Sequence, residues 1–179
     1  MKNILNFVVD LVERLFNTDE RVILGSGFGL GLIPFAPGSF GTLIGVVIHW
    51  MTHYCIKVNF QYLMLFYLLL LTCIMSLLTS DYCSMYWESS DPKQFIIDEI
   101  AGYLLTVLII GDSLNKYNAP FWKHLVVAFV LFRLCDIVKL PGAKYIDKNI
   151  HNKWGILLDD LVSAIYAGGV LRFLSIFNI

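Results

Sequence analysis

Charged residues are scarce in this chain. Asp, Glu, Lys and Arg make up 15% of its 179 residues, well short of the roughly 25% found in soluble domains. None occurs from Val22 to Ile56 or from Val58 to Ser80. With 58% hydrophobic residues and a mean hydropathy of +0.70, a water-soluble fold is excluded and a membrane protein indicated. A basic excess is also missing: the net charge of −1 offers no field for nucleic acid, so no nucleic-acid partner is expected. The four cysteines, Cys55, Cys73, Cys83 and Cys135, form no Cys-x-x-Cys pair. Three lie in or beside apolar runs, which makes them reduced packing residues rather than a zinc or redox centre. The N-terminus lacks the basic, apolar, small-residue order of a cleaved signal, and the apolar runs are too many and too long for one, so neither removal nor export is expected. Internal repeats and low-complexity tracts are absent as well.

What is present divides into an interfacial N-terminal segment, residues 1–21, and one membrane-embedded domain, residues 22–179. Within residues 3–16, Ile4, Val8, Leu11, Val12 and Leu15 share one helical stripe while Asp10, Glu13 and Arg14 stay largely off it. This predicts a short amphipathic helix lying in the interface. The glycine-rich stretch that follows is broken by Pro34 and Pro37, so the first span is placed at residues 38–56. Residues 58–80 form the second, long enough for the ~20 residues a bilayer requires. Residues 95–111, 121–138 and 156–177 complete the five spans of an all-α compact bundle, each of these three by enclosing charges. The rule that cytoplasmic loops are rich in Lys and Arg sets the orientation. With the N-terminus inside, Lys2, Arg14, Arg21, Lys93, Lys139, Lys144, Lys148 and Lys153 are cytoplasmic, against Lys57, Lys116, Lys123 and Arg172 outside.

That orientation gathers unrelated stretches into one layer at the cytoplasmic interface. They are the start of the first span (PGSFGT), Asp98-Glu99, the Arg133, Asp136 and Lys139 set, and Asp159-Asp160. Of the fourteen acidic residues, Asp112 alone is assigned to the outer face. Ionised carboxylates at membrane depth cost at least a few kcal/mol and call for a cation, a cavity or a partner. Each adjacent pair points about 100° apart on a helix and can flank a metal ion, and hard oxygen ligands suit Mg²⁺ rather than zinc. The competing reading is acids that complement a helix N-terminus. Arg133, Asp136 and Lys139, spaced i, i+3 and i+6, fit either cations that snorkel to headgroups or a phosphate clamp centred on Arg133. Pro37-Gly38-Ser39-Phe40-Gly41-Thr42 fits an anion-holding turn at a helix start or close helix packing through Gly41-x3-Gly45.

Other patterns are set aside. Gly25–Gly31 alternates glycines but matches neither a dinucleotide fingerprint nor a P-loop. Gly111-Asp-Ser-Leu114 opens like a lipase motif but has no downstream Asp-x-x-His. His49 and His53, at i and i+4, and His124 read as interfacial histidines without an acidic partner. No Cys-x5-Arg or Asp-x-Asp-x-Thr is present, so a covalent phosphoryl-enzyme route is not indicated.

The stretches GLIPFAPGSFGTL (31–43), FIIDEIAGYLLT (95–106), FRLCDIVK (132–139) and DKNIHNKWGILLDDLVSA (147–164) together resemble the phosphatidylglycerophosphatase A family of small bacterial membrane enzymes. The resemblance runs in order through nearly the whole chain after residue 25. It implies Mg²⁺-dependent hydrolysis of the terminal phosphate of phosphatidylglycerophosphate to phosphatidylglycerol, in the bacterial cytoplasmic membrane, with the site facing the cytoplasm. The bilayer and its lipid substrate are the partners, and no obligate protein partner is called for. On this basis Asp98, Glu99, Asp136 and Asp159 are the expected metal ligands, and Asp160 orients or deprotonates the attacking water. Arg133 and Lys139 offset phosphoryl charge, assisted by Gly38, Ser39 and Thr42 as phosphate-binding residues. This chain departs from the family in reading Lys139-Leu-Pro-Gly142 where Lys-Pro-x-Pro is common, and Asn152-Lys153 where glycines are common. The alternatives are a transporter lined by buried acids, a scaffold whose charges only fix packing, or a phosphatase for another lipid phosphate. CDP-alcohol phosphatidyltransferases also gather acids at this interface, but their Asp-Gly-x2-Ala-Arg spacing is missing.

Overall fold

A computed structural model describes residues 19–111 and 120–176. The helix expected over residues 3–16 and the loop containing Asp112 lie outside the described residues. Those described are all-helical, with no strand: α1 (Glu20–Gly25), a 3₁₀ turn (Leu30–Leu32), α2 (Pro37–Cys55), α3 (Val58–Tyr86), α4 (Ile97–Ile110), α5 (Phe121–Val138), α6 (Pro141–Asn149) and α7 (Lys153–Ile176).

The breakers act where the sequence places them. Pro37 occupies the first turn of α2, where its missing N–H is no loss. The glycine-rich stretch before it is not a span. It folds back as α1 and the 3₁₀ turn through left-handed Gly27, Phe28 and Gly29, and α1 packs against α3. A hydrogen bond from Ile96 N to Gly25 O (2.9 Å) ties it to the entrance of α4. Gly31 is pressed so closely on the Gln94 carbonyl that no β-carbon fits.

Three boundaries differ from expectation. Helix α3 continues to Tyr86 rather than stopping near residue 80, because Asp81 sits on its exposed end and pairs with Lys153 at 3.1 Å. A charge ends the apolar run there without ending the helix. Helix α7 begins at Lys153, three residues before the predicted span, with the Asn152 side chain accepting from the N–H groups of Trp154 (3.0 Å) and Gly155 (3.2 Å) as an N-cap. Helix α6 is new: Pro141-Gly142 reads as a turn, yet Pro141 starts a short helix whose Ala143 is buried.

Helix α4 is the centre of the bundle, packed against α7, α3, α2 and α5 and buried on nearly every side. Among the described residues two helices, α3 and α7, are long and apolar enough to cross a membrane by length and composition. Large apolar side chains such as Leu63, Phe66, Tyr67 and Leu78 are exposed along α3, a surface that suits lipid better than water. The Asp81–Lys153 pair brings the end of α3 beside the start of α7, and Gly38 meets Glu99 and Arg133. The starts of α2, α4 and α7 and the ends of α3 and α5 therefore lie in one layer.

Candidate active site

In that layer a cavity of about 280 Å³ opens between helix ends. Its charged lining is Asp98 and Glu99 from α4, Arg133 and Asp136 from α5, Lys139 just beyond α5, Asp159 and Asp160 from α7, and Asp91 and Lys93 from the loop before α4. Gly38 closes one wall. Asp98, Asp159 and Asp160 are 6%, 7% and 5% exposed, so these are carboxylates withdrawn from solvent rather than a hydrated rim. Asp98 and Glu99 lie in the first turn of α4, where the helix dipole favours negative charge. Asp159 and Asp160 do not: α7 begins six residues before Asp159, and the dipole's effect fades within one turn. Complementing a helix end therefore does not account for the second pair.

The acids sort into two kinds. Asp98, Glu99 and Asp160 each offer an oxygen such that the three lie within 4.8 Å of one another. Glu99 Oε2 and Asp160 Oδ2 are buried and accept no hydrogen bond. Asp136 and Asp159, by contrast, already have cations. Arg133 donates to Asp136 at 2.6 Å, and Lys139 donates to Asp159 at 2.8 Å. Asp160, expected to act on water, lies with Asp98 and Glu99, while Asp136 and Asp159, expected as metal ligands, pair with Arg133 and Lys139. The cause is rotation, since Asp159 and Asp160 are about 100° apart around α7. Asp160 is turned toward α4 and Asp159 toward Lys139.

The cationic side is held in place. Besides its bond to Asp136, Arg133 lies 3.9 Å from Glu99, and its Nε is buried and has no hydrogen-bond partner, leaving a donor for an anion. Lys139 has a left-handed backbone (φ 47°) at the break between α5 and α6 and also donates to Asp147 on α6 at 2.5 Å. Desolvation pulls its ammonium down, but the bonds to Asp147 and Asp159 outweigh this and leave its pKa raised, so it stays charged throughout the physiological range. We expect Lys139→Gln, which leaves Asp159 buried without its cation, to lower turnover by about 10²-fold, and Asp147→Asn, which loosens Lys139, by about 10-fold. Steady-state kinetics of the two variants checks this order.

Ser39 and Thr42, expected to bind phosphate, have backbone partners. The Thr42 hydroxyl is buried and donates to Gly38 O at 3.0 Å, and the Ser39 N–H is taken by Ala36 O at 2.9 Å. Neither residue lines the cavity, whereas Gly38 does, and what the turn supplies is close approach. A β-carbon at Gly38 would collide with Glu99 Oε1 and come within 3.0 Å of both terminal nitrogens of Arg133.

Sequence reasoning passed over Asp91, Lys93 and Asp147. Asp91 lines the cavity while its side chain remains exposed. Only Asp147 carried a signal, its place at the head of the 147–164 stretch. His49, His53 and His124 line a separate cavity of about 120 Å³ that contains no acid, where His53 stacks on Phe121 at 3.7 Å.

The residues fit a divalent cation. Three converging carboxylates, two of them with an unpartnered buried oxygen, leave excess negative charge that a hard cation would neutralise. Nitrogen and sulfur ligands are absent from the cluster, which disfavours zinc.

Comparison with known proteins agrees with this geometry. The family model described as phosphatidylglycerophosphatase A matches residues 23–175. A Haemophilus influenzae phosphatidylglycerophosphatase A is 31% identical over 81% of this chain and 82% of its own length. The Escherichia coli (strain K12) phosphatidylglycerophosphatase A is 27% identical over 90% of this chain and 87% of its own. A Bacteroides thetaiotaomicron protein, described provisionally as a phosphatidylinositol-3-phosphatase, is 29% identical over 82% and 87%. No solved structure matches. The chain belongs to the phosphatidylglycerophosphatase A family, and it is a hydrolase of phosphoric monoesters.

Proposed function

We propose that the chain is a Mg²⁺-dependent lipid phosphatase that hydrolyses the terminal phosphate of phosphatidylglycerophosphate, giving phosphatidylglycerol and inorganic phosphate at the cytoplasmic face of a bacterial cytoplasmic membrane. The observation that carries this reading is the buried Asp98, Glu99 and Asp160 cluster beside Arg133, in a cavity at one end of a helical bundle.

Asp98, Glu99 and Asp160 hold the ion. Bound there, Mg²⁺ would supply Lewis-acid polarisation of the phosphoryl oxygens and lower the pKa of a nearby water. Arg133 presents its unpartnered Nε to the phosphoryl group and is oriented by Asp136. Lys139, held between Asp147 and Asp159, adds a second positive charge aimed at the same cavity. The unpartnered Oδ2 of Asp160 orients the attacking water and takes its proton. The water oxygen bonds to phosphorus as the P–O bond to the glycerol breaks, and the proton taken by Asp160 passes to the departing oxygen, giving phosphatidylglycerol and inorganic phosphate. Diacylglycerol need not leave the bilayer, because the helix ends hold the site at headgroup depth.

Five spans, α2, α3, α4, α5 and α7, alternate in direction in this reading, and the Lys and Arg bias sets the site inside. Helix α4 is roughly 21 Å long at 1.5 Å per residue. It is short for a ~30 Å hydrocarbon core, which its enclosure by neighbours tolerates. A transporter is disfavoured because the acidic cavity lies at one end, and the cavity lined by the histidines contains no carboxylate. A different lipid phosphate is the second reading, favoured by the Bacteroides relative's description.

Phosphate release by purified protein in mixed micelles tests the assignment. Phosphatidylglycerophosphate is expected to be cleaved faster than phosphatidate or phosphatidylinositol 3-phosphate. EDTA should abolish release and Mg²⁺ restore it. A preference for phosphatidylinositol 3-phosphate would favour the second reading, and full activity in EDTA would remove the metal from the mechanism. A cysteine placed at exposed Tyr145 of α6 should be labelled only after cells are opened. Labelling of intact cells would reverse the orientation.

A further inference from the structure

We infer that the lipid substrate enters the cavity sideways from the bilayer, through an opening between the start of α2 and the last turn of α5, with an acyl chain lying along the α2–α5 seam. This deepens the proposed function and rests on it. The cavity wall carries nine charged residues and a smaller apolar set. Phe95 and Pro92 are buried and face inward, whereas Ala36, at the start of α2, and Ile137, in the last turn of α5, line the cavity and are also exposed on the outer surface. Ile137 is 70% exposed, so one side chain forms part of both the reaction cavity and the lipid-facing surface.

From that point an apolar track continues. Trp122, Val126, Val130, Leu134 and Ile137 recur at spacings of three or four on α5, and all are exposed. The track runs from Trp122 to Ile137, fifteen steps of 1.5 Å or roughly 22 Å, about the length of an extended membrane acyl chain. Helix α2 carries a matching series, Leu43, Val47, Trp50 and Tyr54, also exposed. The two helices are in contact at both ends, through Gly38 with Arg133 near the cavity and through His53 with Phe121 at the other end. They run antiparallel side by side, and their seam ends at the cavity mouth. An exposed apolar face is expected of any helix against lipid; what sets this one apart is that Ile137 joins it to a nest of charges. A diacylglycerol phosphate needs both, with the phosphoryl group at Arg133 and the tails in hydrocarbon.

The test uses the full chain in vesicles of phosphatidylcholine doped with phosphatidylglycerophosphate bearing a diazirine on one acyl chain. Photolysis is followed by peptide mapping, and a diazirine phosphatidylcholine in parallel vesicles reports labelling by bulk lipid. Label from the substrate probe is expected to be enriched at least threefold over the bulk probe in residues 126–138 and 35–47. Leu134→Asn should lower kcat/KM for the diacyl substrate about 10-fold more than for its deacylated, water-soluble counterpart. Equal labelling by the two probes, enrichment on the exposed face of α3 instead, or an equal loss on both substrates overturns the opening. Phosphate release is scored in the same preparation. Cleavage with labelling elsewhere removes the opening and leaves the proposed function standing, whereas enrichment at the seam without cleavage supports the opening and counts against the phosphatase reading.

Discussion

Asp160→Asn is expected to abolish turnover, by about 10³-fold or more, in a protein that folds as well as the wild type. Two effects combine in this loss. The variant neutralises one of the three carboxylates whose oxygens converge within 4.8 Å and removes the base assigned to the attacking water. Loss of a general base costs typically 10²–10⁴-fold and loss of a transition-state electrostatic contact a comparable amount, without the two being additive. Stability should move the other way. Three carboxylates with oxygens within 4.8 Å of one another, largely withdrawn from solvent, repel, so neutralising one relieves the cluster when no cation is bound. The thermal midpoint in detergent with EDTA is expected to equal or exceed that of the wild type, while added Mg²⁺ should raise the wild-type midpoint and leave the variant's unchanged. A variant that merely damaged packing would lose both activity and thermal midpoint. Asp81→Asn, at the exposed Lys153 pair, should change neither by much.

Gly38→Ala is expected to lower kcat by about 10²-fold although it adds a single methyl group. At most helix positions alanine is the better residue. At Gly38 the new β-carbon would occupy the space of Glu99 Oε1 and crowd both terminal nitrogens of Arg133. The α2–α5 contact must open or the two charged side chains must shift, and a displacement of about 1 Å in a positioning group is enough for a loss of this size. Gly169→Ala is the matched comparison, because nothing lies within 4 Å of a β-carbon there. Its activity should stay near wild type. Equal kinetics for the two alanine variants would mean that the approach of α2 to the charged layer has no catalytic role.

The parts of this architecture that were legible in the sequence were those where charge and apolar context conflict. Asp98-Glu99 and Asp159-Asp160 stood out because carboxylates beside long apolar runs require an explanation, and α2 and α3 followed from breakers and uncharged stretches. Which carboxylates meet was not legible. Adjacency in sequence says that Asp159 and Asp160 point apart, but the packing of α7 on α4 decides which of them joins Asp98 and Glu99. Asp91 and Asp147 were missed for the opposite reason: outside the apolar runs an acid is unremarkable, and only the fold brings the first to the cavity and the second to Lys139. Helix α6 was hidden by Pro141-Gly142, a pair that reads as a turn and here starts a helix. Ser39 and Thr42 had the chemistry of phosphate ligands, but the α2 backbone takes the N–H of one and the hydroxyl of the other.

The central claim is that Asp98, Glu99 and Asp160 form one divalent-cation site. Its most direct test is a Mn²⁺ titration followed by electron paramagnetic resonance, with purified wild-type protein, Asp160→Asn and Asp159→Asn in the same detergent, and Mg²⁺ as competitor. The account predicts a Mg²⁺-competable bound signal in the wild type, its loss in Asp160→Asn, and its retention in Asp159→Asn, because Asp159 is occupied with Lys139. Retention in Asp160→Asn together with loss in Asp159→Asn would contradict it and place the ion on the other side of α7.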